Sequence, residues 1–218
     1  MITANLERIR KKLPQGVTLV AVSKFHPVEA IMEAYSAGQR VFAESRPQEL
    51  LSKVHRLPGD IRWHFIGHLQ TNKLKMVLPY VELVQSVDSE RLLSAIDKWA
   101  GENGRTIDVL LEEHIASEES KQGFSAEEIL SILSRGNEFP NVRFRGLMGM
   151  ATLTDDPSVI AGDFARISAL KSLVKEKYQE LSDFTELSIG MSDDWSLALE
   201  AGSTMVRIGT AIFGERVY

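Results

Sequence analysis

Short, β-branched apolar runs recur along this chain with a helical stretch between each pair, and that alternation constrains its fold more than any other feature. Val17-Thr18-Leu19-Val20-Ala21-Val22 is almost continuously apolar, as expected of a strand covered on both faces. Pro27 to Tyr35 follows, with Val28, Ile31, Met32 and Tyr35 on one helical stripe and Gly38 as a stop. The same alternation predicts strands at 17–22, 40–43, 61–66, 81–86, 106–111, 142–147, 184–189 and 204–208. Further helices are expected at 46–56, 70–78, 89–102, 126–135, 158–181 and 193–201, with a short turn from Thr210 and an extra helix at about 3–12. Ser125-x-x-Glu128 and Ser45-x-x-Gln48 read as capping boxes, and Asp156-Pro157 as an N-cap with a first-turn proline. The longest loop is expected around 149–157.

Eight strands alternating with helices, without a long Pro/Gly/Ser linker, point to a closed (β/α)8 barrel of the TIM type. It would be a single α/β domain over residues 1–218 with an added N-terminal helix. An open doubly wound sheet is the alternative; no GxGxxG follows the first strand, which counts against its dinucleotide-binding version. The absence of cysteine removes disulfides, thiolate zinc sites, iron–sulfur clusters and cysteine nucleophiles. A net charge of −5 argues against general nucleic-acid binding. No apolar run approaches the roughly 20 residues of a membrane span, and MITANLERIRKKLPQG lacks the pattern of a signal peptide. A cytoplasmic protein with neither membrane nor nucleic acid as partner is expected.

In a barrel, the carboxyl ends of the strands build the active face. The first strand ends in Val22-Ser23-Lys24, where partial desolvation favours a neutral amine able to form a Schiff base; a lysine snorkelling to solvent is the plainer alternative. Gly190-Met191-Ser192-Asp193-Asp194 and Arg207-Ile208-Gly209-Thr210 each run a strand through glycine to a hydroxyl at a helix start, the loops that often hold phosphate in barrels. Ser192 and Thr210 acting as N-caps is the competing explanation. Arg207, near the end of the eighth strand, needs an acceptor: a carboxylate, a phosphate, a ring nitrogen, or a barrel carboxylate such as Glu44 or Glu215. His64 and His68 lack an acidic third ligand, so a metal site is not expected; His68, Gln70 and Asn72 either line a pocket mouth or cap a helix. One member of Glu112-Glu113-His114 faces the barrel mouth, and sequence does not decide which. Glu118-Glu119-Ser120-Lys121 reads as a solvated charged loop.

Six blocks together carry a family resemblance: Leu19 to Lys24, Trp63 to Lys73 (WHFIGHLQTNK), Glu118 to Lys121, Arg145-Gly146-Leu147-Met148, Gly190 to Asp194, and Met205 to Arg216 (MVRIGTAIFGER). In order and over nearly the whole chain, they resemble the pyridoxal phosphate homeostasis protein family, which is similar to the N-terminal barrel of alanine racemase without its C-terminal β-domain. The resemblance implies a fold type III pyridoxal-phosphate barrel. Lys24 matches the lysine of the internal aldimine, Ser192, Gly209 and Thr210 the phosphate cradle, and Arg207 the arginine facing the pyridine nitrogen. It also implies a monomer that keeps free pyridoxal 5′-phosphate in balance, with cofactor-requiring apo-enzymes as candidate partners and without an established catalytic reaction. The sequence departs from the family pattern at Ala43-Glu44-Ser45, where Gly-Glu-Asn is usual, and at His114, where Asn is common. Two enzymatic alternatives share the same lysine: a racemase-like pyridoxal-phosphate enzyme and a phosphosugar Schiff-base lyase.

Overall fold

In a computed structural model that describes residues 1–117 and 122–215, eight parallel strands close into a barrel in sequence order. They are β1 (Thr18–Val22), β2 (Val41–Glu44), β3 (Arg62–Phe65), β4 (Val81–Val87), β5 (Ile107–Glu113), β6 (Val142–Gly149), β7 (Glu186–Ser188) and β8 (Met205–Ile208). The barrel is sealed where Thr18 to Ala21 pair with Met205 to Ile208. Around it run α1 (Ile2–Arg10), α2 (Val28–Ser36), α3 (Pro47–Val54), α4 (Leu74–Val77), α5 (Glu90–Glu102), α6 (Ala126–Ser134), α7 (Pro157–Lys177), α8 (Trp195–Glu200) and α9 (Thr210–Phe213). The expected barrel and its extra N-terminal helix are therefore present. Among the described residues no helix is long and apolar enough to cross a membrane. The segments 118–121 and 216–218, which hold Glu118 to Lys121 and Arg216, lie outside the described residues.

Two apolar layers organise the barrel. Alternate strand residues fill its interior, including Val20, Val22, Val41, Ala43, Leu83, Leu110, Met148 and Met205, while the opposite faces pack beneath the helices. Helix α1 buries Ile2, Leu6 and Ile9, one face of a helical period, and its first amides are capped by Glu33 of α2. Two N-terminal signals act as read. Ser125 and Glu128 exchange both capping-box bonds, and Asp156 accepts from Ser158 N–H at 2.9 Å ahead of Pro157.

Other details differ from the sequence reading. The Ser45 capping box does not form: Arg46, held extended before Pro47, becomes the N-cap, so Ser45 lies one residue too early. The helix expected at 70–78 is a 3₁₀ turn at Thr71–Lys73 followed by one turn of α4, consistent with the poor helix propensity of Thr and Asn at its start. Helix α7 stops at Lys177 rather than 181, because buried Tyr178 leaves helical geometry and donates its hydroxyl to Leu130 O of α6. The connection after β6 covers only residues 150–156 and is shorter than the one at 178–185 between α7 and β7, so the longest loop is not the one expected around 149–157.

Candidate active site

Lys24, Ser192, Arg207, Gly209 and Thr210 line one cavity of about 240 Å³ at the carboxyl ends of β1, β7 and β8. Its walls are half apolar, from Val22, Ile66, Met148, Met150 and Met191, and His26 and Asp193 complete the rim. The sequence reading missed these wall residues, although Val22 and Met148 carry the inward phase of the strand alternation. His26 also stacks on Phe213 at 4.8 Å between ring centroids, tying the β1 loop to α9.

Lys24 sits two residues beyond β1, half-buried in a turn and not in the strand itself. Phe25 after it has φ +67°, the one positive φ at a non-glycine among the described residues. That region is sterically disfavoured for an aromatic residue and persists where surrounding contacts enforce it.

Across the cavity, Arg207 is almost fully buried, and no carboxylate lies within ion-pair distance among the described residues. The sequence alternatives Glu44 and Glu215 are therefore not its partners: Glu44 bonds Ser23 and Lys53 instead. Its Nη1 donates to Ser188 O at 2.6 Å and to Ser188 Oγ at 2.7 Å, and its Nη2 to Gly149 O at 2.9 Å. Ser188 Oγ in turn donates to Gln85 Oε1 at 2.6 Å, and Gln85 Nε2 lies 2.8 Å from His64 Nδ1. Burial pushes the His64 imidazole down to about 4, so it is neutral and accepts from Gln85. A buried relay across β8, β7, β4 and β3 thus fixes the guanidinium. Burial lowers the Arg207 pKa to about 10, which leaves the group cationic at neutral pH. Three of its five N–H donors are used by these bonds.

The loop after β7 turns at Gly190, whose φ is +92°; an added Cβ would come within 2.5 Å of Ala198 Cβ. Met191 N–H donates to Asp194 Oδ1 at 2.5 Å, and Asp194, not Ser192, is the N-cap of α8. Gly209 is the N-cap of α9 and Thr210 its first residue. Neither hydroxyl caps a helix, so the capping explanation does not hold, and neither makes a hydrogen bond among the described residues. With helices of only six and four residues behind them, these loops present hydroxyls and backbone amides more than a strong helix dipole.

Alternation settles the β5 carboxylates. Glu112 pairs in register with inward-facing Met148, so its side chain enters the barrel mouth, while Glu113 points under the helices. Burial pushes the Glu112 carboxyl up to about 7, reinforced by Asp88 and opposed by Arg207 and His68. Glu113 is likewise pushed to about 7 by burial, and its Oε2 has no partner among the described residues.

The histidines of the WHFIGHLQTNK block separate. His64 is inside the barrel, whereas His68 is half-exposed and pairs with Asp88 Oδ2 at 2.9 Å. His68, Gln70 and Asn72 line a different, polar cavity of about 400 Å³ with Asp88 and Arg91. No cluster of metal-binding side chains occurs among the described residues. Gly67 packs against the Ser45 backbone, where a Cβ would meet Ser45 O at 2.0 Å, and Ser45 is absent from the lysine cavity's lining.

Comparison with known proteins bears on the fold and the family. The family described as alanine racemase, N-terminal domain, matches residues 1–217. A pyridoxal phosphate homeostasis protein of Vibrio alginolyticus is 38% identical, over 95% of this chain and 90% of its own length. The structure of PipY from Synechococcus elongatus without PLP superposes with a TM-score of 0.93 at 37% identity, covering 98% of this chain and 100% of that one. The same protein with PLP bound gives 0.89, at the same identity and coverage. The chain belongs to the alanine racemase N-terminal domain family, and within it to the pyridoxal phosphate homeostasis proteins.

Proposed function

We propose that this chain is a single-domain protein that binds pyridoxal 5′-phosphate in the cavity between β1, β7 and β8 and acts in the homeostasis of that cofactor. The observation that carries the reading is the convergence on one cavity of a lysine, a buried guanidinium without a carboxylate partner among the described residues, and two uncommitted hydroxyls. That set suits a flat aromatic aldehyde with an anionic tail: apolar walls for the ring, polar groups at its ends. PipY, solved with PLP bound, shares the fold over nearly the whole chain.

In this reading Lys24 supplies the nitrogen that holds the cofactor. When bound, the cofactor would supply an aldehyde with which a neutral Lys24 amine could condense with loss of water. Ser192, Thr210 and the Gly209 backbone hold the phosphate, their bonds strengthened by its charge. Arg207 faces the ring nitrogen as a donor. A guanidinium gives up its proton reluctantly, so the ring nitrogen stays unprotonated and the ring is a weak electron sink. The acting form is a cytoplasmic monomer, with apo-enzymes that need the cofactor as recipients.

Mass spectrometry after borohydride reduction of the loaded protein tests the reading. One cofactor mass should map to Lys24, and Lys24→Ala should lose it while melting as the wild type does. An adduct on Lys73 or another lysine, or none at all, rejects it. Formation of D-isomers from L-amino acids at about 1–1000 per second would favour the racemase-like alternative instead.

A further inference from the structure

The turn that carries Lys24 is pinned on both sides by one buried ion-pair cluster. On the near side, Ser23 N–H donates to Ala43 O at 3.0 Å and Ser23 Oγ to Glu44 Oε1 at 2.6 Å. The Ser23 carbonyl accepts from Lys53 Nζ at 2.9 Å. On the far side, Phe25 N–H donates to Glu49 Oε1 at 2.6 Å. The same Lys53 ammonium donates to Glu44 Oε1 at 2.8 Å and to Glu49 Oε1 at 2.7 Å. An ammonium has three donors, and these bonds use all three.

Nothing about stability alone explains such a cluster. The side chains of Glu44 and Lys53 are 0% and 5% exposed, and buried ion pairs seldom outperform apolar residues of the same volume. Glu44 Oε2 has no partner among the described residues, an added cost. What the cluster does achieve is positional. Its bonds end on the two peptide units flanking Lys24, and they hold Phe25 at its disfavoured φ of +67°. The Arg46 guanidinium, 4.6 Å above the Phe25 ring, closes the same turn from outside.

We infer that Glu44, Lys53 and Glu49 are positioning residues for Lys24, fixing the backbone on either side so that its amine meets the aldehyde of a bound cofactor. The inference rests on the assignment of Lys24 made above. None of the three lines the cavity, so they act through the turn and not by touching the ligand.

The test compares Glu49→Ala, Glu49→Gln and Lys53→Met in the full chain by three measurements. The first is the rate at which a borohydride-fixable adduct appears with pyridoxal 5′-phosphate. The second is affinity for pyridoxine 5′-phosphate, which has the ring and phosphate but no aldehyde. The third is hydrogen exchange at the Phe25 amide without ligand. Glu49→Ala and Lys53→Met should slow adduct formation at least tenfold and speed Phe25 exchange at least tenfold, with pyridoxine 5′-phosphate affinity unchanged within twofold. Glu49→Gln retains an oxygen for the Phe25 amide and should recover most of the rate. Wild-type adduct rates in Glu49→Ala, or a parallel loss of pyridoxine 5′-phosphate affinity, would overturn the inference. Should Lys53→Met fail to fold, Glu49→Ala decides alone, since Glu49 is at the cluster's partly exposed edge. An adduct that survives in Lys24→Ala instead rejects the Lys24 assignment, and this role falls with it.

Discussion

Arg207 Nη1 donates to both oxygens of Ser188 on the neighbouring strand, the carbonyl at 2.6 Å and the hydroxyl at 2.7 Å. The consequence is that a buried cation is solvated by fixed dipoles instead of a carboxylate. Its charge is not cancelled within the barrel wall and stays available to whatever enters the cavity. The serine also couples the guanidinium to Gln85 and His64 deeper in the barrel, so one hydroxyl sets the orientation of the cavity's strongest donor.

Ser188→Ala should therefore cost more than a single hydroxyl normally would. It strips an acceptor from Arg207 and the donor from Gln85 Oε1, leaving two buried polar groups short of a partner. A loss of about 1–3 kcal/mol is expected in urea unfolding, together with weaker binding of pyridoxal 5′-phosphate. A loss under about 0.5 kcal/mol, the ordinary surface range, would mean that the relay does not hold the guanidinium.

Ser192→Ala and Thr210→Ala test the other end of the cavity. Each should weaken pyridoxal 5′-phosphate binding by about 1–2 kcal/mol, the scale of a hydrogen bond to a charged group. Pyridoxal, which lacks the phosphate, should bind almost as before. Calorimetry with both ligands separates the cases: equal losses for the two would show that the hydroxyls shape the loops without touching phosphate.

Gly190 and Gly202 flank α8 and have similar positive φ values, +92° and +85°, but only Gly190 lacks room for a side chain. At Gly190 a Cβ would lie 2.5 Å from Ala198 Cβ and 3.0 Å from Trp195 Cα; at Gly202 it would meet nothing within 4 Å. Gly202→Ala should then cost only the backbone strain, about 1 kcal/mol. Gly190→Ala adds overpacking, for about 2–4 kcal/mol in all, and should weaken ligand binding by moving the Ser192 loop. Equal destabilisation of the two in denaturant melts would remove the steric argument.

How much of this was legible in the sequence follows from how local each signal is. Double-sided burial makes a barrel strand a run of apolar residues, so all eight strands could be located within a few residues. The cavity residues were legible because glycine and hydroxyl residues mark strand-to-loop junctions. The relay behind Arg207 was not: Ser188 and Gln85 are 103 residues apart, and each looks like one polar interruption of an apolar strand. Lys53 resembles any solvated lysine of an amphipathic helix, yet it is buried and bonded to Glu44 at the end of β2. The choice between Glu112 and Glu113 was hidden because β5 is apolar on both faces, so its phase is fixed only once the barrel places Leu110 inside and Leu111 beneath the helices.

Glu112 leads to the last prediction, a dependence of stability on pH. Its carboxyl is pushed up to about 7 in the folded chain, against an ordinary value near 4.3 when unfolded. Between those values the native state binds more protons than the unfolded one, so stability falls as pH rises through the window. Above about 7 the folded protein must hold a charge that burial disfavours, a cost of order 3 kcal/mol. Glu113 adds a second slope of the same sign. Glu112→Gln keeps the shape and removes the charge, so the variant should match the wild type near pH 4.5 and be more stable by up to about 3 kcal/mol at pH 8. Urea unfolding at pH 5, 6, 7 and 8 reads the difference directly, since groups common to both proteins cancel. A gap that does not widen with pH, or a wild type that is the more stable at pH 8, would show that Arg207 and water offset the burial of this carboxylate.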